Sequence, residues 1–100
     1  MDTYNKREEF FATELGRDCI DLNSTLARWL GRRLLAWHNA GQVRYPIAYL
    51  GELEAWREDT KKAGEALLAY VDPLNENEDV EPGAVEAMKW VAENFPQLWD

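Results

Sequence analysis

The stretch "DPLNENEDVEPG", Asp72–Gly83, holds five acids and no base. Counted from Asn75, it sets Asn75, Asn77, Asp79, Glu81 and Glu86 at positions 1, 3, 5, 7 and 12 of a calcium loop. Position 6, where such a loop needs glycine for its sharp turn, is Val80, and Pro82 falls where the pairing-strand residue belongs. The pattern therefore argues against calcium. Two readings stay open: an acidic landing surface, or a solvated linker bracketed by Pro73 and Pro82.

Other chemistry finds less support. Nucleophilic catalysis needs Ser, Cys or Thr beside a base. Cys19 and His38 are the only cysteine and histidine, and on one helix they stand more than about 25 Å apart. Di-metal bundles need Glu-x-x-His pairs, which the sequence lacks. All-helical nucleotide hydrolases use Glu-x-x-Glu/Asp pairs on helices; here only Glu78 and Glu81 have that spacing, in a loop. There is no glycine-rich phosphate loop. No enzyme, metal or cofactor is expected.

The charges are unevenly spread. The net charge is −8, yet residues 17–45 carry five arginines against two acids, whereas residues 72–100 carry eight acids and only Lys89. Arg28 and Arg32 lie one turn apart, and with Arg33 they form a secondary basic patch. With Arg44, Trp29 and Trp37 nearby, that patch is a candidate phosphate clamp. The overall charge argues against direct nucleic-acid binding and for a protein partner with a basic surface.

These groups need a scaffold, and one hundred residues suffice for one domain, 1–100. A hydrophobic share of 46% and five tryptophans indicate a folded chain. The start MDTYNKREEFF lacks the pattern of a secretory signal, no apolar run is long enough to span a bilayer, and a single cysteine permits no intrachain disulfide. The expected location is the cytoplasm.

Periodicity predicts an all-α fold, a compact four-helix antiparallel bundle, with helices near 3–15, 19–40, 46–71 and 83–95. Residues 72–82 form the acidic loop and 96–100 a short tail. In the first helix Tyr4, Phe11 and Leu15 share a face, and Gly16 suits a left-handed stop. The second has a stripe of Leu22, Leu26, Leu30, Leu34 and Trp37, flanked by Trp29, with Gly41 after it. The third opens at Pro46. Its seam of Tyr49, Leu53, Trp56, Thr60, Ala63, Leu67 and Tyr70 is polar or small in the middle, at Arg57, Thr60 and Gly64. That predicts a bend or break near Asp59–Thr60, or a turn that faces a partner. The fourth has a seam of Ala84, Val85, Met88, Val91, Ala92 and Phe95.

Three features do not fit their faces. Arg33 lies inside an apolar arc, so it either snorkels to the rim or pairs with an internal acid or anion. Ala27 and Gly31 permit close approach of another helix, which makes that helix central or one side of a homodimer. Trp90 lies about 160° from Met88, among Glu86 and Glu93. It is either a binding anchor or packed against a neighbouring helix.

These features favour a small acidic protein-binding module whose contact residues are Asp72, Glu76, Glu78, Asp79, Glu81, Glu86, Trp90 and Glu93. By analogy of type, it is expected to be a phage or mobile-element inhibitor, anti-CRISPR-like or a nucleic-acid mimic, occupying a basic surface of a nucleic-acid-handling protein. The alternatives are a homodimeric structural or regulatory protein, and a small nucleic-acid or effector-binding regulator using Arg28, Arg32 and Arg33.

Overall fold

A computed structural model describes residues 3–46, 49 and 51–99, with side-chain placement from residue 6 onward. The chain is all-α, as its periodicity predicts. In order come α1 (Thr3–Phe11), α2 (Glu14–Ile20), α3 (Leu22–Ala40), α4 (Leu53–Val71) and α5 (Val80–Glu93), then one 3-10 turn at Phe95–Gln97. Helices α3, α4 and α5 pack as an antiparallel bundle with α4 between the other two.

The bundle is fastened at both ends and in the middle. At one end Asn23 Nδ2 donates to Tyr70 Oη at 2.6 Å. At the other, His38 Nδ1 meets the Arg57 carbonyl at 2.9 Å. Between them α3 and α4 approach through glycines. A Cβ on Gly31 would stand 3.1 Å from the Gly64 carbonyl, and one on Gly64 would stand 3.1 Å from the Gly31 carbonyl. The polar middle of α4 is thereby explained, and the expected bend or break near Asp59–Thr60 is corrected. The helix runs unbroken from Leu53 to Val71. Arg57 Nη2 donates to the His38 carbonyl at 3.5 Å, Gly64 lies against Gly31, and buried Thr60 accepts from Gln42 Nε2 at 2.9 Å while donating to the Trp56 carbonyl at 2.9 Å. Gln42 and Thr60 are 2% and 0% exposed, so each satisfies a polar group the other would strand.

Four expected boundaries shift, each for a local reason. The first helix breaks in two because Thr13 caps a new one: its Oγ1 accepts from the Gly16 amide at 3.0 Å. Gly16 is then no stop; it lies inside α2, buried where a Cβ would collide with the Phe10 and Phe11 backbone. The second helix begins after the kink at Asp21 and ends as expected at Gly41, φ 95°. The third cannot run from Pro46, because Gly51 is left-handed at φ 88° and α4 starts only beyond it. Ile47, Ala48 and Leu50, which that reading placed in the helix, lie outside the described residues, as does the Tyr4 side chain. The fourth starts earlier, at Val80, because Pro82 in its first turn lacks only an N–H that has no helical partner there.

The core is small-to-large. Ala27, Leu34, Ala63, Leu67, Ala84, Ala87 and Val91 are buried together. Beside them Trp56, fully buried, takes Trp37 edge-on at 6.0 Å, Tyr49 edge-on at 5.1 Å and Trp90 at 5.1 Å. Such aromatic pairs each contribute about 1 kcal/mol beyond the area they bury. The N-terminal arm is a different matter. Helix α1 packs on α2, and α2 on the start of α3. The molecule is therefore long, 58 × 31 × 22 Å, with a radius of gyration of 16.7 Å where about 13 Å is usual for this length.

Candidate protein-interaction surface

The loop between α4 and α5 is ordered by its own short polar side chains. Asp72 Oδ1 accepts from the Leu74 amide at 3.0 Å, Asn75 Oδ1 from the Asn77 amide at 3.0 Å, and Asn77 Oδ1 from the Asp79 amide at 2.9 Å. These three turns follow from Asx chemistry, in which a side-chain oxygen replaces a backbone acceptor two residues back. They also direct the Asn75 and Asn77 oxygens at backbone amides. Among the described residues no cluster of three or more His, Cys, Asp or Glu is placed to hold a metal ion.

The loop delivers its acids to solvent. Asp72, Glu76, Glu78, Asp79, Glu81, Glu86 and Glu93 are all exposed. Among them only Glu86 has a described base within ion-pair reach, Lys89 at 3.2 Å. That pair is exposed on both sides and contributes little to stability.

Trp90 is the residue whose placement most changes the picture. Of its two expected placements, it takes the packed one: it is half-buried and lies against the core cluster. Its ring lies on Trp56, and its Nε1 donates to Tyr49 Oη at 2.8 Å. Tyr49 in turn donates to Asp59 Oδ2 at 2.7 Å. The chain Trp90–Tyr49–Asp59 thus crosses from α5 to α4 through the segment that precedes α4. Burial raises the Tyr49 phenol above its ordinary value, and the neighbouring Asp59 carboxylate adds to that rise against the lowering bond from Trp90.

One edge of Trp90 still faces a cleft of about 290 Å³ at the α4–α5 border, walled by Asp59, Lys62 and Glu86 and floored by Ala63, Ala66 and Ala87. Ala66 and Gly83 also line an adjoining, smaller hollow of about 130 Å³ that reaches Asn75, Asn77 and Asp79. Gly83 lines both hollows, and no heavy atom lies within 4 Å of where its Cβ would sit. The result is a trough with a small-residue floor, an aromatic end and carboxylates along its sides. Of the residues singled out from sequence, it unites Asp79, Glu86 and Trp90. Asp72, Glu76 and Glu78 stay in the exposed loop, Glu93 is on the exposed side of α5, and Glu81 lies toward α3 instead, beside Asn23 and Tyr70. Asp59 and the alanine floor of α4 were missed. The stride Asp59, Ala63, Ala66 is the signal that marks them.

The basic patch is divided. Arg33 snorkels: its guanidinium lies over the Trp29 ring at 4.1 Å, and Nη1 donates to the Trp29 carbonyl at 3.0 Å. Arg28 and Arg32 are exposed on α3. Arg44 covers Trp99 of the tail at 4.6 Å. The Gly31 side of the Ala27/Gly31 face is packed against α4 of the same chain, and Ala27 is buried.

No protein-family model matches the chain, and no curated protein or solved structure was found similar to it. None of the described helices is long and apolar enough to cross a membrane.

Proposed function

We propose that the protein is a non-enzymatic binding module that takes a basic segment of a protein partner along the α4–α5 trough. One observation carries the reading: an acidic, Asx-ordered loop runs into a trough that ends on a half-buried tryptophan. A lysine or arginine of the partner lying over the small-residue floor reaches Glu86 and Asp59, and its alkyl stem packs on the free edge of Trp90. The unpaired acids of the loop supply long-range attraction, which raises the association rate more than the final affinity. Lys62 at the trough wall and Lys89 beside Glu86 oppose that charge locally, and favour a partner whose cation displaces them.

Within that class, the narrower proposal is an inhibitor that covers the basic surface of a nucleic-acid-handling protein. Its support is charge alone: closely spaced carboxylates can imitate a phosphate backbone.

The test is differential capture from the native host, read by mass spectrometry. The wild-type chain and Asp79→Lys/Glu86→Lys, which reverses two exposed acids of the trough, serve as baits. A basic protein retained by the wild type, lost by the variant, and released with rising salt fits the proposal. Equal retention by both baits removes the acidic surface from the interface.

A further inference from the structure

Helices α3 and α5 both pack on α4, and between them they leave an apolar groove open. Its walls include Leu26, Trp29 and Leu30 on one side and Met88, Val91 and Phe95 on the other, around a volume of about 500 Å³. These residues belong to the stripes that the sequence assigns to the core. Yet Trp29 remains 54% exposed and Phe95 72%. The Gly31–Gly64 contact sets the small face of α3 against α4; Leu34 is still buried and Leu30 packs on the core, while Leu22, Leu26 and Trp29 at the N-terminal half of α3 stay exposed.

A second set of uncovered apolar residues lies on the arm. Leu15 is 66% exposed and Ile20 61%, with Phe10 and, at the start of α3, Leu22 also exposed. The arm is held as one piece by the Thr13 cap, by Gly16 against the α1 backbone, and by Arg17 Nη2 donating to the Ala12 carbonyl at 3.1 Å. Its chain link to the body is the single residue Asp21, and α2 packs on the start of α3. Helix–helix connections in bundles usually run about 2–8 residues, so a one-residue link gives the arm no loop with which to fold back along α3 into its own groove.

We propose that two copies of the chain exchange their arms, each α1–α2 unit lying in the α3–α5 groove of the other. The arm then supplies the fourth layer that each three-helix body lacks. The area suffices. Seven large apolar residues of arm and groove are 40–72% exposed; three are aromatic, a class that buries roughly 150–250 Å² each, and with the four aliphatic ones the total is on the order of 800 Å² per chain. That is the share per partner of a stable specific interface, about 800 Å². Charge agrees in sign: α3 carries Arg28, Arg32 and Arg33 with no acid, while residues 3–20 carry four acids against three bases. The exchange is closed under a two-fold axis, so it stops at two. The α4–α5 trough lies on the opposite edge of α5, and the two proposals stand or fall separately.

Light scattering on the full chain gives the first test, with twice the chain mass expected at micromolar concentration. Leu15→Glu and Phe95→Glu each change an exposed residue, so helical content by circular dichroism is retained while dimerisation weakens at least tenfold. Mixed in equal amounts, the two variants recover part of the dimer, because one intact arm meets one intact groove. Cys19 is the only thiol. A photocrosslinker placed there, in a mixture of ¹⁴N- and ¹⁵N-labelled chains, joins Cys19 to α3 or α5 peptides of the other label. A monomer at high concentration, a dimer indifferent to both variants, or cross-links confined to one chain overturns the proposal.

Discussion

Replacing a single glycine by alanine tests the helix packing directly, because the structure gives opposite signs at two positions. In a helix, glycine-to-alanine gains about 1 kcal/mol of propensity. At Gly83 nothing lies within 4 Å of the new Cβ, so Gly83→Ala keeps roughly 0.5–1 kcal/mol of that gain. At Gly64 the new Cβ meets Leu35 Cγ at 2.9 Å and the Gly31 carbonyl at 3.1 Å. The leucine can rotate, but the carbonyl belongs to a helix and cannot move without shifting α3. Overpacking of that kind costs about 2–3 kcal/mol. After the propensity gain, Gly64→Ala loses about 1–2 kcal/mol. The two variants therefore differ by about 2 kcal/mol, or roughly 10 °C in melting temperature for a chain of this size. Thermal and urea unfolding by circular dichroism measure both. If Gly64→Ala melts at or above Gly83→Ala, the close α3–α4 approach described above is wrong.

Three further outcomes follow. Thr60→Val keeps the shape but leaves Gln42 Nε2 without its acceptor at a 2% exposed site, and denaturant unfolding should show a loss of about 1–3 kcal/mol. Trp90→Ala should lower stability by about 2–3 kcal/mol, since it removes the Trp56 stack and the Tyr49 bond; an unchanged melting temperature would return Trp90 to the role of a free surface anchor. Tyr49 has its folded value raised, so the fold favours the neutral phenol. Its contribution is fully present below about pH 10 and is lost as pH rises through the folded value. Melting curves from pH 9 to 12 should show the stability gap between wild type and Tyr49→Phe narrowing with pH.

Local signals could be read in the sequence where the cause is local. Gly41 ends α3, Asp72–Pro73 ends α4, and the all-helical pattern follows from the spacing of apolar residues. The acidic loop also stands where its composition places it. The shifted helix boundaries have local causes, at Thr13, Asp21, Gly51 and Pro82; the rest of what could not be read depends on contacts between distant residues. The Gly31–Gly64 approach sets how α3 meets α4, and nothing within α3 distinguishes Leu34, which is buried, from Leu22 and Leu26, which stay exposed. Gly51 reads as a helix residue until its positive φ is seen. Trp90 lies outside the α5 seam on a helical wheel, yet Trp56 and Tyr49 reach around to hold it. The polar positions of α4 looked like defects because their partners, Gln42 and His38, lie in other segments.

The central claim is that the α4–α5 trough receives a basic segment. It is tested most directly by ¹⁵N–¹H correlation spectra of the full chain, titrated at low salt with a helical peptide carrying arginines one turn apart. The account predicts that the Trp90 indole, Gly83, Glu86 and Asp59 resonances shift first and together, that the shifts fade as salt is added, and that Arg28 and Arg32 stay still. Shifts spread evenly over the acids, or absent from the Trp90 indole and Gly83, would contradict it.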